Sequence, residues 1–269
     1  MRILITGSTG TIGRQIVAQL VEQGHAVRAL TRNPEASVPG AEMVVGDLSR
    51  PDTLIPALDG VEAVHLINFD GGGLQGLDTG PALVELVRAA GVRRVTVLRG
   101  GDETSIEKAV QDSDLAWTFV QPVEFMSNTF AWVAAVREGT IREPFLSRRS
   151  AMVHEADIAA VAVVALTQDG HGGKTYTVTG PEALTVPEKV AILSQAVGRD
   201  IALVELTEAQ AREKWAAEGL PAHVIDFLVW VYGNTPEIGY TVVSTVEDLT
   251  GRPARSFADW CAEHAPAFQ

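Results

Sequence analysis

Gly7-Ser8-Thr9-Gly10-Thr11-Ile12-Gly13 lies between an apolar run, Ile3-Leu4-Ile5, and a helical stretch from Arg14 to Gln23. An apolar strand, a glycine turn and a helix in direct succession leave few folds open. The first glycine lets the chain turn sharply off the strand, and the last lets the helix pack closely on it. The middle one lets backbone amides approach a phosphate, with the helix N-terminus adding partial positive charge. The spacing is GxxGxxG, and its context predicts a dinucleotide cradle rather than a plain turn.

The chain then alternates. The first helix is predicted over Thr11 to Gln23, with Gly24 as its stop, and a strand over Ala26 to Thr31. A third strand follows over Glu42 to Val45, then Gly46-Asp47-Leu48 and a capping box at Ser49-Arg50-Pro51-Asp52. Val61 to Ile67 reads as a buried parallel strand holding a packed His65. Asn68 to Gly80 is a glycine-rich loop around Gly71-Gly72-Gly73, placed to act as a lid or as a loose connection. Helices over 81–90 and 103–112 alternate with strands over 94–98 and 117–120, and Gln121-Pro122 closes the last of these. Val123 to Glu138 reads as a helix apolar on most sides, and Asp157 as the N-cap of another. Strands over 175–179 and 201–205, a capping box at Thr185-Val186-Pro187-Glu188, two helices over 208–232 and a short helix after Ser256 complete the pattern.

The predicted class is α/β, a Rossmann-type doubly wound parallel sheet with a small, mostly helical C-terminal substrate lobe. Residues 1–269 read as a single NAD(P)-binding domain. Its core is about 1–155 plus the strand near 175–180, and the lobe is built mainly from 123–150 and 181–269. Ligands in such folds lie at the carboxyl ends of the strands.

The tip of the second strand selects among dinucleotides. NAD enzymes place an acid there, against the ribose hydroxyls. Here the strand ends Leu30-Thr31-Arg32, and a guanidinium suits a 2′-phosphate. The expected cofactor is NADP(H). Asp47 falls where adenine would lie, with capping or turn formation as its other role.

A net charge of −13 argues against nucleic acid and anionic membranes as partners. The lone Cys261 excludes an internal disulfide and a zinc-type cluster, so no metal is expected and the fold suits a reducing cytoplasm. The first strand begins at Arg2, and no apolar run reaches transmembrane length, so neither signal peptide nor membrane span is expected.

The GxxGxxG stretch, Arg32 and Gly46-Asp47-Leu48 are similar to the short-chain dehydrogenase/reductase superfamily. Leu115 to Pro122, Phe125-Met126, Asn128, Asp157-Ile158-Ala159, Tyr176 to Pro181 and Thr250 to Pro253 with Phe257 and Trp260 resemble its NmrA-like, atypical branch. That branch includes NADPH-dependent quinone reductases, azo-dye reductases and cofactor-sensing regulators. The resemblance implies a diphosphate on Gly7, Thr9, Gly10, Thr11, Ile12 and Gly13, and a 2′-phosphate at Arg32. It implies adenine flanked by Asp47 and Leu48, a ribose followed by Leu66, Ile67 and Asn68, and a nicotinamide bordered by Pro122.

The chain also departs from the superfamily. Its tyrosines are Tyr176, Tyr232 and Tyr240, and none has a lysine four residues on. Arg99-Gly100-Gly101 stands where the usual serine would be, and Gln121 where an arginine precedes the proline. Asp102, Gln121, Glu124 and His154 are the candidate replacements as catalytic groups, with helix capping as the other role for Glu124 and a surface-loop position for His154. Phe125, Trp132, Phe227 and Trp230 can wall a flat substrate or pack the core. Three readings stay open. The first is an NADPH-dependent reductase of a small, flat, electron-poor molecule such as a quinone, enone or imine. The second is a non-catalytic NADP redox sensor, and the third a cyclase or isomerase on the same fold. A homodimer is compatible with each.

Overall fold

The computed structural model describes residues 1–69, 76–101 and 103–269. The chain forms two compact units. The first holds Met1–Pro122, Glu155–Val178 and Thr245–Arg252, and the second Val123–His154, Thr179–Ser244 and Pro253–Gln269.

Numbered through the whole chain, the first unit contains β1 (Arg2–Ile5), α1 (Thr11–Glu22), β2 (Ala26–Thr31), β3 (Glu42–Val45) and β4 (Ala63–Ile67). It continues with α2 (Gly80–Ala89), β5 (Arg94–Leu98), α3 (Ser105–Gln111) and β6 (Ala116–Pro122), and later with α5 (Glu155–Thr167), β9 (Lys174–Val178) and α9 (Thr245–Thr250). Its sheet has the order β3-β2-β1-β4-β5-β6-β9, with every neighbouring pair parallel. The chain builds outward from β1 to β3, then crosses back to β4, so the order reverses between β1 and β4. Ligands of open α/β sheets bind at that reversal, beyond the strand ends. The predicted doubly wound parallel sheet is the observed one.

Local physics accounts for these elements. β4 and β5 are buried along nearly their whole length because helices cover both sheet faces. One of those covers, α5, is Ala/Val-rich and buried almost all round. α3 begins at a capping box in which Thr104 and Glu107 exchange hydrogen bonds, a T-x-x-E signal present in the sequence.

His65 is fully enclosed in β4, with Nδ1 2.8 Å from the Thr96 hydroxyl. Burial pushes its pKa from 6.5 down to about 4. Between these values the unfolded chain binds a proton that the native state does not, so stability falls as pH drops from 6.5 to about 4. The accumulated loss attributable to this group is about 3 kcal/mol. Urea unfolding across that range should show the decline in the wild type, and the His65→Gln variant should lack this share of it.

Several local expectations are corrected. Ser49 does not cap a helix: its hydroxyl donates to Asp47, and the segment forms short 3₁₀ turns, Pro51–Leu54 and Pro56–Leu58. Asp157 lies in the first turn of α5, which starts at Glu155, three residues before the Ile158 start that an Asp157 N-cap would give. β6 runs on through Gln121 and Pro122, which pair with Thr177 and Val178. The Gly71-Gly72-Gly73 lid and Asp102 lie outside the described residues.

The second unit holds α4 (Val133–Arg137), β7 (Thr140–Pro144), β8 (Arg149–Ser150), β10 (Leu184–Thr185), α6 (Val186–Val197), β11 (Ala202–Leu206), α7 (Glu208–Ala217), α8 (Ala222–Asn234) and α10 (Phe257–His264). Residues 123–138 are not one helix: 123–125 contain a bend and an isolated bridge from Phe125 to Val153, Met126–Trp132 is 3₁₀, and only α4 is α-helical. β7 pairs in parallel with β11, and β8 antiparallel with β10. α6 has the predicted Thr185–Glu188 capping box and stops at Gly198. The core gathers Met126, Ile141, Val190, Leu193, Phe257 and Trp260. Cys261 is buried there, and burial pushes its thiol up to about 12. Among the described residues no helix is long and apolar enough to cross a membrane.

Candidate functional site

The glycine turn is built from the backbone up. Gly7 has φ +60°, a left-handed conformation that suits glycine, and it turns the chain off β1. Gly10 N–H closes the turn on Gly7 O at 2.9 Å, and Arg14 N–H then starts the α1 ladder on Gly10 O. The buried Ser8 hydroxyl donates to Leu30 O at 2.8 Å and ties the turn to β2. Thr6 fastens it to β4, donating its N–H to His65 O and accepting Ile67 N–H at 2.9 Å. α1 packs so close that a Cβ on Gly13 would lie 2.2 Å from Gly7 O.

α1, like α2, α4 and α8, starts without a side-chain cap. α3, α6, α7 and α10 each begin at a side-chain capping box. α1 begins at Gly10, with no side-chain cap and no acid in its first turn. Its leading N–H groups, on Thr11, Ile12 and Gly13, are therefore not committed to a side chain. They suit the phosphate groups of a dinucleotide.

The other predicted residues surround this sheet edge to different degrees. A Cβ on Gly7 would touch Ile67, so the β4 tip stands directly beside the turn. Leu66 is buried in β4, and Asn68 follows it, also buried. Asn68 Nδ2 donates to Glu107 Oε1 at 2.6 Å, and the other Glu107 oxygen accepts from Thr104 N–H and from its hydroxyl. Glu107 thus locks the Asn68 amide, a link between positions 39 apart that no local pattern announces. Arg32 is exposed at the tip of β2, between Thr31 and Asn33. Asp47 Oδ1 accepts the Ser49 N–H and hydroxyl, and its other oxygen lies 3.4 Å from Arg50. These contacts, the Ser49 hydrogen bond first, hold its pKa below the usual carboxylate range. Leu48 is buried beside it, and its carbonyl accepts from Thr79 at 2.7 Å. Pro122, half-buried, ends β6 at the same carboxyl edge.

Gln121 belongs to the first unit, and Glu124 and His154 to the second. Gln121 sits within β6. Glu124 caps no helix; its carboxylate lies 3.7 Å from buried Lys189, which also donates to Ser150. Burial lowers the Lys189 pKa, while Glu124 opposes the shift. His154 is not a surface-loop residue: it is 3% exposed, with Nε2 3.3 Å from Glu263. A second buried pair stands in the same unit, Glu143 with Arg148 at 3.2 Å, and Arg148 lies over the Tyr232 ring. Burial raises the Tyr232 hydroxyl to about 12. Tyr176 bonds His171 at 2.8 Å. Among the proposed aromatic walls, Phe125 and Trp132 are half-buried, and Trp132 donates to Glu143. Phe227 and Trp230 are 56% and 55% exposed on α8.

Comparison with known proteins agrees with this geometry. Residues 7–169 match the model of the NAD(P)H-binding family. A (4-alkanoyl-5-oxo-2,5-dihydrofuran-3-yl)methyl phosphate reductase from Streptomyces griseus subsp. griseus is 39% identical, covering 99% of both chains. An NAD(P)H azoreductase from Xenophilus azovorans is 36% identical with the same coverage. The crystal structure of an NADPH-dependent quinone oxidoreductase from Escherichia coli, complexed with NADPH, superposes with TM-score 0.83 at 26% identity, over 97% of this chain and 99% of that one. NmrA, a negative transcriptional regulator solved with NADP, shares the fold at TM-score 0.74 and 16% identity, over 98% of this chain and 95% of its own. On these grounds the chain belongs to the NAD(P)H-binding family, as the NmrA-like resemblance of its motifs implied.

Proposed function

We propose that this protein is an NADPH-dependent reductase of small, flat, electron-poor molecules. The observation that carries the reading is the uncapped N-terminus of α1 at the same sheet edge as Arg32. The amides of Thr11, Ile12 and Gly13 bind the diphosphate, and Arg32 takes the 2′-phosphate. Asn68, fixed by Glu107, orients the ribose on the nicotinamide side. Bound NADPH supplies a hydride.

The relatives support the acceptor class. The Streptomyces protein is named for an alkanoyl-oxo-dihydrofuran phosphate, the Xenophilus protein for azo compounds and the Escherichia coli protein for quinones. Each is a conjugated acceptor that delocalises negative charge as hydride arrives. Water can then deliver the proton, so no Tyr-Lys pair is needed. The protein's main contribution is orientation.

Nicotinamide absorbance should fall when the purified protein is given NADPH with quinones, enones or azo compounds, and faster than with NADH. No turnover above background across this panel would end the reductase reading. NADP binding that alters affinity for a protein partner would then favour the sensor.

A further inference from the structure

We propose that Arg99 is an anion-recognition residue for the substrate, so that the preferred acceptors carry a phosphate, carboxylate or similar anionic arm. This rests on the reductase reading above and names its substrate class.

Arg99 directly follows β5, whose last residue, Leu98, pairs with Ile67 of β4 and Val120 of β6. It therefore emerges at the carboxyl edge shared with the glycine turn. By strand alternation it lies on the same face as Val95 and Val97. Its main-chain N–H is satisfied by Val120 O at 2.8 Å, which fixes where the side chain leaves the sheet.

The side chain is the anomaly. Arg99 Nε is buried and has no hydrogen-bond partner among the described residues. Three other arginines of low exposure do have partners among the described residues. Arg28 pairs with Glu42 and donates to the carbonyls of Ala57 and Asp59. Arg148 pairs with Glu143 and donates to Pro144 O. Arg94 pairs with Asp169 and donates to Leu166 O. Arg99 itself is half-buried, so the anomaly is confined to its Nε–H; a buried N–H left unmatched is costly, and a ligand can complete it.

The surroundings also orient it. The Arg99 guanidinium lies over the Phe119 ring, 5.5 Å from its centroid. Phe119 is fully buried and stacked on Trp117 at 4.5 Å, so it forms a rigid platform. A guanidinium held against an aromatic face by a cation–π contact can still offer N–H groups to an anion.

The cofactor's own phosphates are the competing source. In the sheet order, β5 is separated from β1 by β4, placing its tip about 10 Å from the glycine turn. Arg32 lies beyond β1 on the opposite side. Both expected phosphate positions therefore lie at strand tips other than that of Arg99, and a substrate anion is the better match.

The test uses an electron-poor alkene in two forms, neutral and bearing a phosphate monoester arm. Wild-type protein should prefer the phosphorylated form in kcat/KM. In Arg99→Met that preference should fall about 20-fold, while Arg99→Lys should retain an intermediate preference. The Kd for NADPH should stay within about twofold; a large loss would assign the anion to the cofactor and overturn the proposal. Equal use of both forms by the wild type would also overturn it. Calorimetric titration of phenyl phosphate into the protein–NADP complex gives a readout independent of turnover. Arg99-dependent binding without turnover would uphold the anion site while the reductase reading failed. Turnover of neutral acceptors without phenyl phosphate binding would do the reverse. Melting curves of both variants confirm that the folded protein is being compared.

Discussion

Replacing Gly13 with alanine is expected to destabilise the fold by at least about 3 kcal/mol and to weaken NADPH binding more than about 100-fold. The added Cβ would stand 2.2 Å from Gly7 O, 2.7 Å from Gly7 C and 2.8 Å from Ser8 Cα. All three are backbone atoms of the turn, so no rotamer change relieves the contact. α1 must slide along β1, carrying the N–H groups of Thr11 and Ile12 out of register with the diphosphate. Gly10→Ala is the control, since its Cβ would meet only Gly7 O at 3.2 Å. That variant should lose less than about 1 kcal/mol of stability. Urea unfolding and calorimetric NADPH titration read both effects. A Gly13→Ala protein as stable and as tight as wild type would refute the close-packing role.

Arg32→Ala should reduce the preference for NADPH over NADH about 100-fold, which is within the range of one lost charge-assisted contact. Almost all of the change should appear as weaker NADPH binding, because NADH has no 2′-phosphate to lose. Arg32 is exposed, so salt should shrink the wild-type preference toward that of the variant. Paired titrations of both cofactors at low and high salt measure this. An unchanged preference in Arg32→Ala would place the 2′-phosphate elsewhere.

The parts of the molecule that could be read from sequence are those set by neighbouring residues. Gly7, Gly10 and Gly13 fix a turn within one loop, and β2, β3 and β5 follow from short apolar runs bounded by turn residues. The Thr185–Glu188 box needs only four consecutive positions. Where several conformations bury the same side chains, the pattern misled. Residues 123–138 are apolar on most sides, which gives no period to separate an α-helix from the irregular, 3₁₀ and helical pieces observed. β7 escaped notice because Arg142, Glu143 and Pro144 look unlike a strand, and only its pairing with β11 makes it one. The buried polar contacts were out of reach for a different reason. Glu124 with Lys189, His154 with Glu263 and Asn68 with Glu107 join distant positions, and only tertiary packing makes them neighbours. The same holds for Arg99, whose Nε lacks a partner among the described residues.

The packing of α1 against α5 has a consequence for synthesis on the ribosome. Gln19 Nε2 reaches Ala156 O, 137 residues later in the chain. The phosphate turn and its helix emerge early, yet the helix that covers α1 emerges only after the whole first block of the second unit has been made. The edge strand β9 follows later still. A nascent chain that has not yet released residues 155–178 therefore carries an α1 with part of its apolar face bare. The turn that carries the dinucleotide signature is therefore complete in the chain well before the helix that supports α1 has been made.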